Sequence, residues 1–436
     1  NGMYHPGSGG KYIAGATVDI NGDYWYSVPG VTRIEGNTRY YSKNDPFDPF
    51  SLIADNIFVI YSDPRGNYWF GTWNRGMSYM NPACNNNVFT NYSTIPGKPS
   101  LNGNVVDAVT VDNQGRIWAS INGKGINVIN REKDTFTYYS MNSKGFYSTA
   151  SNFHYGLYED NKGRIYLVSL RDGIKIIESS RNHKTQIEVV NPENRKEGIM
   201  IRDIAVLKDS IMFIADDQTC YYFDLRSHKT GHLTDLGFNE TLGKNLRLLT
   251  VATDNKNKVY FAGSSFYVAN LDEKTLTEYN HHTAGESGGQ FITVYTVYKS
   301  VYDAAVWLGT QSGLYRFEEV NETFYAYTKA DGLPSNTVKS IIEDNKGVLW
   351  IGSNNGISKC TVDGEISGPQ GNTVPKLHFR NFNMADGLPG KQFMNNAVAR
   401  SPDGELCFGS TEGLTVFHPD KLRLNKRPPE IHFTDF

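Results

Sequence analysis

The stretch from Asn336 to Ile357 reads NTVKSIIEDNKGVLWIGSNNGI, and two other stretches of the chain repeat its pattern. Asn104 to Ile126 reads NVVDAVTVDNQGRIWASINGKGI, and Asn152 to Ile174 reads NFHYGLYEDNKGRIYLVSLRDGI. Each stretch contains an apolar run, an Asp-x-x-Gly turn, a run with a large aromatic residue and a final Gly-Ile pair. Self-similarity of this kind is the sequence signature of a repeat architecture.

A column of bulky residues measures the period of the repeat. Its members follow one another at steps of 43 to 57 residues: Trp25, Trp69, Trp118, Tyr166, Phe213, Tyr260, Trp307, Trp350 and Cys407. A period of about 45 residues is typical of four-stranded propeller blades. The fifth and sixth units are less regular, because Asp216–Cys220 and Gly263–Phe266 lack the usual Gly-Leu or Gly-Ile pair, but their spacing is kept.

The local signals within one unit predict four strands, A to D. Val338–Ile342 is an apolar run (strand A), and the Asp344–Gly347 turn after it has hairpin chemistry, since Asp bonds nearby backbone and Gly adopts positive φ. Val348–Gly352 carries the large aromatic residue (strand B), Gly356 opens strand C, and Thr323–Tyr327 is a typical strand D. Helical periodicity is nearly absent, so the sequence predicts an all-β fold.

A four-stranded blade has two apolar faces and cannot bury both alone. Stacking blades around an axis and closing the circle buries every face, so we predict a β-propeller of about nine repeats with the aromatic column between blades. We expect 105–428 to form one seven-bladed propeller and 1–104 to be two blades of a preceding one. The alternative is a single ring of eight or nine units.

Composition excludes several classes of protein. The 436 residues carry a formal net charge of -3, which argues against a nucleic-acid partner. No run of 18 apolar residues is present, so no membrane span is expected in this segment. The four cysteines show no C-x-x-C spacing, which leaves zinc and redox motifs unsupported. Cys220, Cys360 and Cys407 lie in strand-like runs and are expected to be buried free thiols.

The sequence predicts no cofactor, no metal site and no catalytic residue. The histidines are scattered, and no calcium loop, P-loop or G-x-S-x-G elbow occurs. Two carboxylate pairs, Glu159-Asp160 and Glu343-Asp344, belong to the recurring hairpin signal, so a turn role is favoured for them. His154 beside Tyr155 suggests the base of a polysaccharide lyase only weakly, because neighbouring residues in a strand point to opposite faces.

Ligand binding is the better prediction for this fold. The loops that join strand D to A and strand B to C emerge on one face, around the central channel, and they vary without disturbing the packing. Arg, Lys, Asn and aromatic side chains in them suit a sugar chain, particularly an acidic one, because Arg grips a carboxylate or sulfate through two hydrogen bonds. The alternative for each residue is an ordinary solvated loop. The candidate ligand-binding residues are Trp73, Asn74, Arg75, Asn122, Lys124, His154, Arg171, Arg202, Arg247, Lys339 and Lys391.

The repeat, written D-x-x-G-x-h-W-h-G-[ST]-x-x-G-[LI], resembles the two-component-regulator propeller repeats. Its best matches are Asp344–Ile357, Asp63–Met77 and Val306–Leu314. Such repeats form the periplasmic sensor regions of hybrid two-component systems that control polysaccharide use in gut-type Gram-negative bacteria, usually as two seven-bladed propellers in tandem. The stretch PPEIHF within 428–436 resembles the opening of the immunoglobulin-like domain that follows those propellers, so we expect 429–436 to start such a domain.

The resemblance implies a periplasmic, non-enzymatic propeller that binds a polysaccharide-derived oligosaccharide and signals to a transmembrane histidine kinase. It also implies membrane attachment only through downstream segments, and a homodimer formed through the immunoglobulin-like domain. Two other hypotheses remain open. A propeller glycoside hydrolase or polysaccharide lyase would need convergent catalytic groups in the channel mouth, and a protein-interaction scaffold would need a broad apolar patch on the rim.

Overall fold

The computed structural model describes residues 14–46, 51–64, 66–80, 88–140, 152–169, 173–178, 189–190, 201–216, 219–239, 247–279, 293–367 and 373–422. The chain divides into two compact units, Asn1–Val88 with Asp420–Phe436 and Phe89–Pro419. We call them the first unit and the ring unit and describe each by itself. The predicted all-β class is confirmed, since the described residues form antiparallel sheets and, besides strands, only short 3-10 segments: Leu233–Leu236, Lys329–Asp331, Met384–Asp386 and Pro419–Lys421.

The described part of the ring unit forms seven four-stranded sheets, which we number as blades 1 to 7. The innermost strands, A, are Val106–Val111, His154–Glu159, Ile201–Leu207, Leu248–Thr253, Val294–Lys299, Val338–Glu343 and Phe393–Arg400. Strands B are Ile117–Ile121, Arg164–Ser169, Ile211–Asp216, Lys258–Gly263, Val306–Thr310, Leu349–Ser353 and Leu406–Ser410. Strands C are Gly125–Asn130, Gly173–Glu178, Cys220–Asp224, Phe266–Asn270, Leu314–Glu318, Gly356–Ser367 and Gly413–Phe417. Strands D are Thr135–Tyr139, Val189–Val190, Thr230–His232, Thr275–Tyr279, Thr323–Tyr327, Thr373–Phe382 and, in blade 7, Thr90–Tyr92.

Two features close the ring. Each strand A contacts strand A of the next blade, and strand A of blade 7 contacts strand A of blade 1, so the innermost strands surround one axis. The outermost strand of blade 7, Thr90–Tyr92, precedes blade 1 in the chain and pairs with Gly413–Phe417. The sequence had placed this segment before a boundary at 104. The ring unit begins earlier, at Phe89, because a pairing between its two chain ends leaves no trace in the periodicity.

The Asp-x-x-Gly turn holds the aromatic column as well as bending the chain. Asp112 accepts hydrogen bonds from two backbone N–H groups of its turn through Oδ1, at 3.0 and 2.9 Å. Its Oδ2 accepts a hydrogen bond from Nε1 of Trp118 at 2.8 Å. Asp344 accepts the same bond from Trp350 at 3.0 Å. The carboxylate therefore fixes the indole that packs between blades.

The aromatic column packs between successive blades as predicted. Trp118 of blade 1 is 1% exposed and lies in one apolar cluster with Ile165 and Leu167 of blade 2. The less regular fifth and sixth units form complete blades, and their rings Phe213 and Phe261 meet edge to face at 6.2 Å. The thiols that the structure describes are buried and free, as predicted: Cys220, Cys360 and Cys407.

The first unit repeats the blade pattern. One sheet contains Ala16–Val18, Tyr24–Tyr26, Val31–Glu35 and Thr38–Ser42, and the other contains Ile57–Ser62, Tyr68–Thr72 and Met77–Met80. Asp19 accepts a hydrogen bond from Nε1 of Trp25 at 2.9 Å, as its counterparts in the ring unit do. Trp25 packs on Tyr68 with ring centroids 4.2 Å apart, so the second sheet covers one face of the first.

The outer faces of this pair of sheets are open. In blade 1 the residue before the column aromatic, Ile117, packs on blade 7 and is 0% exposed, whereas its counterpart Tyr24 is 61% exposed. We propose that further blades of the same repeat cover both faces, so that the first unit ends a preceding propeller. The exposed fractions on the far side of the second sheet are 51–59%, at Val59, Tyr61, Met77 and Tyr79.

A cysteine at position 24 tests this proposal. We expect the thiol of Tyr24→Cys to react quickly with a maleimide in this chain and at least tenfold more slowly in the full-length protein, because a neighbouring blade would cover it. The reaction rates of the parent proteins, which carry the four native cysteines of this chain, are subtracted from those of the variants. The control, Val320→Cys, replaces a residue that is 90% exposed in the ring unit. Fast reaction at position 24 in both proteins would rule the covering blades out.

The Asp–Trp hydrogen bond gives a stability prediction. Asp344→Asn keeps an oxygen for the turn but sets an amide N–H against Nε1 of the buried Trp350, which costs about 1–3 kcal/mol. Urea unfolding should show a loss of that size. Asp254→Asn is the matched control, because Asp254 caps the same kind of turn while the Tyr260 hydroxyl bonds Glu319 instead. Equal losses in the two variants would contradict the role of the indole bond.

Candidate functional site

A β-bulge recurs near the start of the innermost strands. In blades 1 to 6 the pairing of strand A with strand B skips the second residue of strand A. Because all innermost strands begin at the same end of the channel, the skipped residues surround its mouth, and bulges are frequent at such rims and beside active sites. We call these residues the mouth ring: Asp107, Tyr155, Arg202, Leu249, Tyr295 and Lys339.

One side of the mouth ring contains a buried carboxylate. Asn122, in the loop between strands B and C of blade 1, donates a hydrogen bond from Nδ2 to Oδ2 of Asp107 at 2.7 Å. Oδ1 of Asp107 is buried and has no hydrogen-bond partner among the described residues. Burial raises the pKa of Asp107 to about 6, and the bond from Asn122 lowers it. Asp107 is therefore a buried carboxylate of the mouth ring with one oxygen unpaired among the described residues.

The neighbouring positions add aromatic and cationic groups. Burial raises the pKa of Tyr155, the charge of Asp107 raises it further, and the charge of Arg202 lowers it, so the three groups lie within electrostatic reach. On blades 5 and 6, Nζ of Lys339 lies 3.5 Å from the ring centroid of Tyr295, a cation–π contact. The mouth ring thus presents two tyrosine rings and two cations around one carboxylate.

Blade 7 departs from the pattern of a single skipped residue. The pairs Phe393–Ser410 and Val398–Phe408 enclose four residues of strand A but only one of strand B. Within this wide bulge Asn396 has a φ of 52°, in the left-handed region. The extra residues carry the side chain of Asn396 away from its own blade.

Asn396 spans the channel. Its Nδ2 donates hydrogen bonds to Oδ2 of Asp203 at 2.9 Å and to Oγ1 of Thr250 at 3.1 Å. Those residues belong to blades 3 and 4, which lie opposite blade 7 in a ring of seven. Each is the third residue of its strand A, one step deeper than the mouth ring. The channel is therefore bridged directly beneath its mouth, and we call the mouth ring together with this bridge the cup.

Asp203 is the centre of this floor. Its Oδ2 also accepts hydrogen bonds from the Thr250 hydroxyl and from the Val251 N–H, both at 2.9 Å, and its Oδ1 accepts one from the Ile204 N–H at 2.9 Å. Thr250 Oγ1 in turn accepts the N–H of Val297 at 3.1 Å. Burial raises the pKa of Asp203 to about 7 although these bonds lower it.

The structure brings three of the predicted binding residues together with this cup. Arg202 and Lys339 belong to the mouth ring, and Asn122 holds its carboxylate. Lys124, Arg247 and Lys391 are exposed. The last three lie next to strand ends on the same side of the ring unit, because they are in loops that join strands B to C or D to A.

The remaining predicted residues lie elsewhere. His154 is the first residue of strand A in blade 2 and is 1% exposed, and burial, followed by the charge of Lys175, lowers its pKa to about 4. It is a neutral residue of the core. Trp73, Asn74 and Arg75 are exposed in the first unit, where Trp73 packs on Phe58 with centroids 4.7 Å apart. Arg171 lies outside the described residues.

Sequence reasoning did not single out Asp107, Asp203, Thr250, Tyr295 and Asn396. A signal for them exists in the starts of the strands, which read apolar, variable, then mostly small, as in Val-Asp-Ala, Val-Tyr-Thr and Val-Lys-Ser. The last unit reads Phe-Met-Asn-Asn-Ala at this point, with two more residues before the small one. Alignment of the units at the small residue would have indicated both the mouth ring and the wide bulge.

Two classes of feature are missing from the part of the chain that the structure describes. It contains no cluster of three or more His, Cys, Asp or Glu side chains that could hold a metal ion. It also contains no helix with the length and apolarity needed to cross a membrane.

The ring unit is a β-propeller whose channel is bridged beneath its mouth, and the repeat indicates the kind of propeller. Residues 51–74 and 332–355 match the family model for the two component regulator propeller. The two matches overlap two of the three stretches on which the resemblance rested, and they confirm it. One match lies in each of the two units.

Solved structures share the fold. The extracellular domain of BT3049 from B. thetaiotaomicron, assigned as a hybrid two component system, superposes with a TM-score of 0.72 at 23% identity, over 94% of this chain and 52% of that chain. The extracellular domain of BT4673 from the same species, assigned as a one component or a hybrid two component system, gives 0.55 and 0.57 at 16% identity, over 96% and 54%.

One curated protein also has a similar sequence. Histidine kinase P4 of Formosa agariphila is 23% identical in an alignment 385 residues long, which covers 80% of this chain and 25% of that protein. The chain thus spans about half of the solved domains and a quarter of the kinase. These likenesses show the fold, and the role of the whole protein is a matter of inference.

The buried Asp203 predicts a pH dependence. Its pKa in the folded protein is about 7, above the value of about 3.9 in an unfolded chain. Between these values the folded state binds a proton that the unfolded state has released, so the contribution to stability is complete below about pH 4 and is lost as the pH rises through 7. The unfolding free energy of the parent minus that of Asp203→Asn should fall between pH 4 and 8, by on the order of a few kcal/mol.

Urea unfolding at several pH values measures this difference. Asp363→Asn, at an exposed position of the strand C hairpin in blade 6, controls for the loss of one carboxylate. A difference for Asp203→Asn that falls no more steeply than the difference for this control would show that the carboxyl of Asp203 titrates alike in the folded and unfolded states.

Proposed function

We propose that this chain is the ligand-sensing propeller of an extracytoplasmic, periplasmic sensor region in a hybrid two-component sensor kinase, and that the mouth ring binds a polysaccharide-derived oligosaccharide. The observation that carries the proposal is the cup. Variable, mostly polar side chains surround the channel mouth, and Asn396 bridges the channel beneath them. The relatives that support the sensor role are extracellular domains of two-component systems and a histidine kinase.

The chemistry of the cup favours a sugar chain with acidic groups. The faces of Tyr155 and Tyr295 provide apolar contact with a polar edge, which suits the faces of pyranose rings. Arg202 can hold a carboxylate or sulfate by two parallel hydrogen bonds, and Lys339 adds a second cation.

A hydrolase is less well supported by the same geometry. Glycoside hydrolases place two carboxyl groups on either side of the scissile bond. Asp203 is held by four donor groups in the floor of the cup, and Asp107 is the one carboxylate of the mouth ring. The scaffold hypothesis would need an apolar rim, and the mouth ring is mainly polar.

Calorimetric titration with acidic and neutral glycan oligomers tests the proposal. We expect one acidic oligosaccharide to bind, and Arg202→Gln and Lys339→Gln each to weaken it at least tenfold, which corresponds to about 1.4 kcal/mol. The matched control is Lys162→Gln, in a hairpin at the opposite end of the ring unit, with unchanged binding. Thermal melting of each variant checks that the fold is kept.

Three results would contradict the proposal. Flat heats with every glycan would leave the scaffold hypothesis ahead. Release of shortened products would indicate the hydrolase or lyase. Binding that the two mouth-ring variants leave unchanged would place the ligand elsewhere on the chain.

A further inference from the structure

A second cavity lies in the ring unit at the end opposite the mouth. Its volume is about 570 Å³, which is in the range of small-molecule sites. Its walls are the hairpin between strands A and B of blade 4, the same hairpin of blade 5, and the hairpin between strands C and D of blade 5. We call it the hairpin pocket. Neither the motifs in the sequence nor the proposed function involves it.

The charges around the hairpin pocket balance. Eight charged side chains line it: Lys256, Lys258, Lys299, Arg316, Asp254, Asp303, Glu318 and Glu319. A count of charges therefore gives no preference for an anion or a cation. The hydrogen bonds that these groups already make decide the question, because a group with free capacity can bind a ligand without losing an existing partner.

Each of the four carboxylates already accepts at least one hydrogen bond. Glu319 accepts hydrogen bonds from the Tyr260 hydroxyl at 2.6 Å and from Lys258, and Glu318 accepts one from Arg316. Oδ1 of Asp254 accepts three backbone N–H groups of its own turn at 2.8 to 3.0 Å. Asp303 accepts the N–H of Ala305 at 2.7 Å through Oδ1, and its Oδ2 is 3.7 Å from Arg316.

Several donors in the same walls retain free capacity. Nζ of Lys299 donates to the carbonyl oxygens of Asp303 and Ala305, both at 3.2 Å, and an ammonium has a third N–H. Nε of Arg316 is buried and has no hydrogen-bond partner among the described residues. Lys256 is exposed, and its ammonium makes no ion pair within the described part of the chain. Burial lowers the pKa of Lys299, although the charges of nearby carboxylates raise it: Glu319, Asp303, Asp254 and Glu343.

The rim of the hairpin pocket is apolar. Val301 is 73% exposed and Val320 is 90% exposed, and both line the cavity. Exposed valines beside free N–H donors form an amphipathic site.

We propose that the hairpin pocket binds a small organic anion, with a carboxylate on Lys256 and Lys299 and a short apolar chain against Val301 and Val320. The site is separate from the mouth ring, so it does not depend on the proposed function.

Titration with butanoate at low ionic strength, followed by NMR chemical shifts, tests this inference. We expect saturable binding with a Kd in the millimolar range, where a single small anion falls. Acetate should bind at least threefold more weakly, because it cannot reach the valines, and 1-butanol should not saturate. Inorganic sulfate is the last ligand to be titrated. If sulfate binds as tightly as butanoate, the pocket recognises the negative charge alone, and the proposed contact with the valines is wrong.

Matched variants locate the site. Lys256→Met should weaken butanoate at least fivefold. Lys162→Met is the control, because Lys162 occupies the same place in the Asp-Asn-Lys-Gly turn of blade 2, with its N–H likewise bonded to the turn aspartate at 3.0 Å. Lys339→Gln should leave butanoate binding unchanged, which separates this site from the mouth ring.

A crystal soaked in 4-bromobutanoate gives an independent location through the anomalous signal of bromine. We expect bromine beside Val301 and Val320. Bromine at the mouth ring, no saturation with butanoate, or equal losses in Lys256→Met and Lys162→Met would each overturn the inference.

Discussion

Burial of both faces of every blade is the constraint on which the rest of this structure depends. A single sheet of the repeat has apolar residues on both sides, and only neighbouring sheets can cover them. The chain shows both outcomes. Ile117 of blade 1 is fully buried by blade 7, while Tyr24 at the equivalent place of the first unit stands 61% exposed. The repeat therefore favours a closed ring. The pairing of Thr90–Tyr92 with Gly413–Phe417 closes this ring at seven blades.

The same constraint decides where functional residues can vary. The third residue of strand A is small in most blades because adjacent innermost strands approach closely there, as Gly156 and Ser340 illustrate, while the first is apolar in nearly all and buried. The bulged residue between them is skipped by the pairing with strand B, and its identity differs from blade to blade. Asp107, Arg202 and Lys339 accordingly differ in charge at one structural position. The strand pairing thus places a ring of variable residues at the channel mouth, which is where we propose that a ligand binds.

Much of this could be predicted from the sequence, and the missing parts share one physical cause. Strand D was predicted at Thr323–Tyr327 and is found there, because turns and apolar runs are local signals. Arg202 was predicted to lie in a loop that joins strand D to strand A, and it is the second residue of a strand A. The pairing of Thr90–Tyr92 with blade 7 and the reach of Asn396 to Asp203 escaped prediction. Both join residues far apart in the chain, and a repeat pattern records only what successive units have in common.

Blade 7 concentrates these non-local contacts, and this has a mechanical consequence. It is the one blade of the ring unit made from both chain ends, and its strand D is only three residues long. It also sends Asn396 across the channel to blades 3 and 4. The bridge ties the blade at which the ring closes to the side of the ring most distant from it. A ligand in the cup would rest beside this bulge, and the chain leaves the ring unit directly after the same blade, at Pro419. Under the proposed function, binding energy spent on the bulge would act on blade 7, the blade after which the chain leaves the ring unit.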